Sequence, residues 1–362
     1  MINIINIVDS GEKLNFGVWN ASIATAKELR KLGFKSEIWI PKPTGEDIIE
    51  ENGFVKHFIE SKSLLYLKKL ITIKNLSPHD TIICSHGTWF YQTRWAFLLK
   101  KLGFKWVIVP QGMLEPWQLR TKWFKKYIYF NLVEKNLIKK ADIIRAVSSP
   151  EKSNLKKLFK NSHIDLIPNA TKTFENIKFE KPKNPKSLLF MGRLHHKKGI
   201  KQLVEGWLRS DLNNDSAFLL EIAGPDQGEL GKINNLIESS KNIRYYGPVY
   251  GSEKVKLLKK ASYFVLPSHS EGFPSSIIEA MSFGAVSLIS SGCNFPEAID
   301  AKVSIEIDTT SDVIKDKLNL LFKMSDEEYR SLQQLSLDFI RKNYDLKIIS
   351  NQLSELYKKL LS

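Results

Sequence analysis

The sequence predicts an α/β protein made of two consecutive parallel-sheet domains. Three observations carry this. Short β-rich apolar runs alternate with segments of helical period, the alternation restarts after a lysine- and proline-rich stretch near position 180, and 362 residues exceed what one core usually organises. In the first half INIINIV (2–8) is a strand, a helix follows over 18–32, and SEIWI (36–40) is the next strand. After an irregular stretch come DTIIC (80–84), a helix over 89–102, KWVIV (105–109), a basic helix over 115–140 and DIIRAV (142–147), with HIDLIP (163–168) closing the half. FEKPKNPKS (179–187) reads as a linker. The pattern restarts with SLLFMGRL (187–194), a helix over 200–209, AFLLEIAG (217–224) and a helix over 227–237. IRYYGPV (243–249), a helix over 253–260, YFVLP (263–267), a helix carrying Glu279 and AVSLI (285–289) complete a second sheet, so the reading is two Rossmann-like halves. The last sixty residues are helical by period, and 345–361 form one amphipathic helix. The domains are drawn at 1–170 and 187–340, joined by a linker over 171–186 and followed by a C-terminal helix over 341–362.

Composition narrows the function classes. No stretch reaches the eighteen or so uninterrupted apolar residues of a membrane span, and the start MINIINIVDS has neither a basic n-region nor a cleavage site. Cys84 and Cys293 stand far apart without the spacing of a disulfide framework or a zinc site, so a cytoplasmic protein is expected. A net charge of +15 calls for an anionic partner. The excess concentrates in 115–140, where seven Lys and Arg face two Glu among Trp117, Trp123, Phe124, Tyr127, Tyr129 and Phe130. That pattern suits a helix lying on an anionic membrane, here the inner face of the plasma membrane, and equally a solvated helix with core aromatics. No nucleic-acid module is present, so nucleic acid is not an expected partner.

The chemistry points to the segment EGFPSSIIEAMSFG (271–284), which sets Glu271 and Glu279 eight positions apart around a turn that starts a helix. Amides at a helix N-terminus hold phosphate oxygens, and a carboxylate on either side accepts from sugar and ribose hydroxyls. Glu279 is expected about two helical turns in. The loop MGRLHHKKG (191–199) supplies Arg193, Lys197 and Lys198, a fork and two point charges for a diphosphate. Cations there would stabilise the charge left on a departing phosphate. Both segments end strands, where open α/β sheets bind ligands, and the arrangement suggests a nucleotide sugar. His195 and His196 shape the loop and His269 helps place Glu271. No histidine has metal-ligand spacing and no Asp-x-Asp follows a strand, so neither metal nor other cofactor is expected.

GRLHHKKG, AGPDQGE, the run from YYGPVYG through SEGFPSSIIEAMSFG, and Pro168–Ala170 resemble retaining glycosyltransferases of family 4, of the bacterial surface-polysaccharide type. The resemblance is close through the carboxyl half and looser before it. It implies the GT-B fold, two Rossmann-like domains facing across a cleft, with the C-terminal helix crossing back to the N-terminal domain. It also implies roles: Arg193 and Lys198 on the donor diphosphate, Glu271 on the transferred sugar, Glu279 on the ribose. Amides at Gly272, Phe273 and, past Pro274, Ser275 would bind sugar or phosphate oxygens, and Gly247, Pro248 and Val249 would border the base. NFGVWNASIATAKELRKLG (15–33) is similar to the family's glycine-rich loop, where Gly17 would let the backbone approach phosphates; Phe16 replaces a glycine often found there. GMLEPWQLRTKWFKKYIY resembles the acceptor-side segment, and Gln111 stands where many relatives have His. Gln111 can bond a sugar hydroxyl but cannot shuttle a proton. His86 ends a strand in the same half, either facing the acceptor or bonded to nearby backbone.

The resemblance implies metal-independent, retaining hexosyl transfer from a nucleotide sugar to a free or lipid-linked oligosaccharide in O-antigen, capsule or exopolysaccharide assembly. Two rivals are a nucleotide-sugar epimerase of the same architecture, which needs no acceptor, and a non-catalytic basic module for membrane or RNA, for which the nucleotide site is dispensable.

Overall fold

Strands of a parallel sheet covered on both faces are nearly continuous runs of β-branched and aromatic residues, and the chain supplies thirteen among the described residues. The computed structural model describes residues 1–10, 16–41, 54–120, 123–174 and 186–362, apart from the side chains of 16, 120, 123–125 and 322. The first seven strands are β1 (Ile2–Ile7), β2 (Phe34–Pro41), β3 (Val55–Ile59), β4 (Thr81–His86), β5 (Lys105–Val109), β6 (Ile143–Ala146) and β7 (Ile164–Leu166). They form one sheet in the order β3-β2-β1-β4-β5-β6-β7, parallel throughout. The second sheet contains β8 (Lys186–Met191), β9 (Phe218–Ala223), β10 (Ile243–Tyr245), β11 (Ala261–Leu266), β12 (Val286–Ser290) and β13 (Ser304–Ile307), in the order β10-β9-β8-β11-β12-β13, also parallel. Each sheet reverses its winding once, between β1 and β4 and between β8 and β11, which is where such sheets open a crevice for ligands.

The chain divides into Met1–Ala170 with Leu346–Ser362, and Thr171–Asp345. In the second unit Ser325 and Glu328 form a capping box that starts the helix Asp326–Tyr344. That helix is tied to the sheet by Tyr329 Oη donating to the carbonyl of Ser262 at 3.0 Å and Gln333 Nε2 to that of Gly284 at 2.6 Å. The final helix, Leu346–Leu361, belongs to the first unit: Cys84 Sγ donates to Tyr357 Oη at 3.5 Å, and the Tyr357 ring meets Phe34 edge-on at 5.9 Å. No helix among the described residues is long and apolar enough to cross a membrane.

Several expected elements differ. The helix over 18–32 is two, Phe16–Ile23 and Ala26–Lys31, because β-branched Ile23 and Thr25 flank a turn without a side-chain cap. The basic segment over 115–140 is helical at Pro116–Arg120 and Trp123–Tyr129, with 121–122 outside the described residues, and its regular helix is interrupted by a π-helical turn Phe130–Glu134 before Lys135–Ile138. Within that wide turn Glu134 is buried and accepts from the Trp89 amide and Thr93 Oγ1, both at 2.8 Å. β3 lies in the stretch read as irregular, and β13 interrupts the last sixty residues, since SIEI alternates with period two and pairs with β12. The linker over 179–187 falls outside the described residues up to 185, and its last two residues open β8.

Candidate active site

In the second unit the loops leaving β8 and β11 run side by side. β8 ends at Met191, and a 3₁₀ turn, His196–Lys198, leads into the helix Ile200–Leu208. Gly199 joins them with φ 68°, and a Cβ there would lie 2.2 Å from the carbonyl oxygen of Pro267, so only glycine lets the two loops approach this closely. The loops are sewn together by His269 N–H donating to the Lys197 carbonyl at 2.8 Å.

This contact brings Lys198 and Glu271 together. Lys198 Nζ lies 2.6 and 2.8 Å from the two carboxylate oxygens, with 15% and 11% of the two side chains exposed. Ser268 Oγ also donates to Glu271 Oε1. The Glu271 backbone is held on both sides: its amide donates to Gly292 at 2.7 Å and its carbonyl accepts from Asn294 Nδ2 at 2.5 Å. Such a carboxylate is immobilised before any ligand arrives. Arg193, in the same loop, is exposed. Neutral His195 accepts from the Lys197 amide through Nδ1 at 3.2 Å, and its pKa is lowered by burial and then by the neighbouring His196, Arg193 and Lys197.

After Glu271 the backbone passes Gly272 and Phe273 to Pro274 at the N-cap of the helix Ser275–Ser282. No side chain caps this end, and the Ser275 amide, expected to face ligand, instead donates to the Phe273 carbonyl at 2.9 Å because the turn closes on itself. The described hydrogen bonds leave the amides of Gly272, Phe273 and Ser276 unused. Glu279 is the fifth residue of this helix, little more than one turn in rather than two, because the helix starts only at Ser275. Its Oε2 lies 2.6 Å from Lys254 Nζ, with 29% of the Glu279 side chain exposed. Lys254, Asn294 and Ser268 are the residues that motif spacing missed; Lys254 is an ordinary charge on the helix Gly251–Lys260 until Glu279 meets it. Gly247 reaches the same sheet edge: its carbonyl accepts from the Gly224 amide at 2.8 Å, and Gly192 N–H bonds the Ala223 carbonyl at 2.9 Å, while Val249 packs against the core. In AGPDQGE, exposed Asp226 accepts from the amides of Gly228, Glu229 and Leu230 at 2.9–3.0 Å and serves as a cap. Cys293 is buried among these loops, and burial raises its thiol pKa to about 12, so it stays a thiol. Among the described residues no three His, Cys, Asp or Glu side chains are placed to hold a metal ion.

In the first unit His86 is buried, Gly17 is helical and Gln111 is half-buried. His86 ends β4 but is 2% exposed, with Nε2 3.0 Å from Asn6 Oδ1. Burial, then Arg145, lowers its pKa to about 3, so the imidazole stays neutral. Gly17 sits in the first turn of the helix Phe16–Ile23 with open space for a Cβ, not in a tight loop; residues 11–15 before it are outside the described ones. Gln111 is half-buried after β5 with φ 56° and pairs with Asn169. Near it Glu151 is buried; desolvation raises its pKa to about 7 against the pull of the Val147 and Gly112 amides. Of the segment 115–140, Tyr127 and Leu132 are 64% and 70% exposed, and Lys139 and Lys140 are exposed too.

The family described as Glycosyltransferase Family 4 matches residues 17–173, and the one described as Glycosyl transferases group 1 matches 171–335. A curated relative is the N,N'-diacetylbacillosaminyl-diphospho-undecaprenol alpha-1,3-N-acetylgalactosaminyltransferase of Campylobacter jejuni, 25% identical over 330 residues, covering 84% of this chain and 82% of that one. Among solved structures, a glycosyltransferase of Rickettsia africae superposes with TM-score 0.77 at 18% identity, covering 100% of this chain and 99% of that one. HepE of Anabaena, solved with UDP and glucose, does so with TM-score 0.75 at 13% identity, covering 99% and 100%. With both sheets matched in sequence and in fold, the chain belongs to the group 1, family 4 glycosyltransferases of the GT-B fold.

Proposed function

We propose that this glycosyltransferase moves a hexosyl unit, with retention of the anomeric configuration, from a nucleotide sugar to a saccharide linked to a lipid diphosphate, in bacterial surface-polysaccharide assembly. The observation that carries the reading is the Lys198–Glu271 pair held rigidly at the switch point of the second sheet, beside the helix that bears Glu279. Lys198 and exposed Arg193 take the donor diphosphate, the amides of Gly272 and Phe273 bind its oxygens or the sugar's, and Pro274 closes the turn. Glu271 accepts from the transferred sugar's hydroxyls and Glu279 from those of the ribose, with the base near Gly247 and Val249. In the transfer the bond from the anomeric carbon to the β-phosphate oxygen breaks while a bond to the acceptor oxygen forms on the same face. The acceptor's proton goes to the departing phosphate, whose new charge the two cations stabilise, so no divalent ion is required. Gln111 is an acceptor-side group. The name of the Campylobacter relative, a sugar transferase acting on a diphospho-undecaprenol, supports the lipid-linked acceptor, and the UDP and glucose held by HepE support the donor class.

A thermal-shift screen against UDP, GDP, ADP and TDP sugars tests the donor site, since a ligand of the folded state raises its melting temperature. The sugar that binds is then offered to a polyprenyl-diphosphate-linked monosaccharide in the presence of EDTA, with the product's anomer read by NMR. No shift with any donor removes the assignment; an inverted product or EDTA inhibition removes the mechanism. The exposed part of 115–140 is proposed to lie on anionic lipid at the cytoplasmic face. Lys139→Glu with Lys140→Glu weakens binding to phosphatidylserine vesicles by about tenfold or more, at about 1 kcal/mol per basic residue; unchanged binding rejects that surface.

A further inference from the structure

Gln111 and Gly112 have consecutive left-handed backbones, φ 56° and 76°. A glutamine is disfavoured there by its Cβ and persists only where surrounding structure holds it. The holder is Glu151, 1% exposed in the first turn of the helix Ser149–Leu158. Its carboxylate accepts from the Gly112 amide at 2.6 Å and the Val147 amide at 2.7 Å, so one side chain ties the turn after β5 to the end of β6. A second device fixes the direction of the Gln111 amide. Arg145, buried in β6, donates to the carbonyls of Ile167 and Pro168 at 2.8 Å and to Asn169 Oδ1 at 3.3 Å. A guanidinium has donors only, so Asn169 must turn its oxygen to Arg145 and its nitrogen to Gln111. Asn169 Nδ2 accordingly donates to Gln111 Oε1 at 2.8 Å, while the return contact from Gln111 Nε2 is 3.5 Å. One lone pair of the Gln111 carbonyl is thereby taken, and its NH2, held only loosely by Asn169, keeps donor capacity to present.

We infer that Glu151, together with Asn169, is a positioning residue for sugar transfer, holding Gln111 as a one-way hydrogen-bond donor to an oxygen of the saccharide acceptor. The inference rests on Gln111 being an acceptor-side group. Its test is steady-state transfer from the nucleotide sugar selected by the screen to a polyprenyl-diphosphate-linked monosaccharide, for Glu151→Gln, Asn169→Asp, Gln111→Gly and the doubles. Glu151→Gln keeps one acceptor and loses the other; it raises the acceptor KM about tenfold or more, as small displacements of positioning groups do. The donor KM stays within about twofold. In the Gln111→Gly background, which relieves the left-handed strain and removes the amide, Glu151→Gln adds no further loss of acceptor KM. Asn169→Asp accepts but cannot donate toward Gln111; it shows the same coupling and decides the question where Glu151→Gln does not fold. An equal loss in both backgrounds overturns the positioning role and leaves the reading of Gln111 standing. A wild-type acceptor KM in Gln111→Gly overturns that reading and the inference with it.

Discussion

At the switch point of the second sheet Lys198 and Glu271 meet as charged groups 2.6 Å apart, with 15% and 11% of their side chains still exposed. At the switch point of the first sheet the ends of β4 and β1 hold His86 against Asn6, and both are shut away from solvent. The same topology therefore serves two purposes. In the second unit charge is left within reach of a ligand and stiffened by backbone bonds. In the first, charge at Arg145 and Glu151 is swallowed and acts through the turns it holds. A parallel sheet offers the same edge in both cases; the loop sequences decide whether that edge binds or braces.

The largest test of this contrast is Lys198→Ala or Glu271→Ala. Each lowers kcat by about 10²–10³-fold, Lys198 through the departing phosphate's charge and Glu271 through its hold on the transferred sugar. The double variant is little worse than either single, since the two act as a unit. Wild-type turnover in either would erase the distinction between the two edges.

Next comes the pH dependence of stability, which the first unit's buried groups control in opposite directions. His86 has a folded pKa of about 3 against an ordinary 6.5, so between those values the unfolded chain holds the extra proton and stability rises with pH. Glu151 has a folded pKa of about 7 against 4.5, so the folded chain holds the extra proton and stability falls as pH rises through that window. Each contributes at most about 1.4 kcal/mol per pH unit, and they offset where the windows overlap. Glu151→Gln unmasks His86: urea-unfolding free energy increases by up to about 2 kcal/mol from about pH 5 to 6.5. His86→Gln gives the reverse slope. Parallel curves for the two variants would show that these groups are not buried as described.

The smallest effect belongs to Glu279, whose pairing with Lys254 is more exposed. Glu279→Ala weakens donor binding by about tenfold, the range of a charged hydrogen bond, measured calorimetrically with the donor found in the screen. An unchanged Kd would show that the carboxylate does not touch the ribose.

How much was legible varied by place. The segment 271–279 could be read because its chemistry is local: a strand, a turn with glycine and proline, and a helix start occur within a dozen residues. The amide of Ser275 was misread because hydrogen bonding inside a turn has no sequence signature. The helix over 115–140 looked continuous because a π-helical turn keeps nearly the same apolar spacing, and only the inward reach of Glu134 to Trp89 and Thr93 reveals it. Lys254 and Glu151 were invisible as site residues, since each is an ordinary charge on an ordinary helix until its partner arrives from far along the chain.

By itself the order of residues determined two parallel sheets, the loops that end their strands, and a cation-rich turn and a glutamate pair on the second, because strand period, turn chemistry and helix starts act over a few neighbours. Whether a given charge faces water or is buried was decided only by tertiary structure. Desolvation depends on everything packed around a group, and that is how His86 came to tie β4 to β1 and Glu151 to brace a turn while Lys198 and Glu271 remained within reach of a ligand.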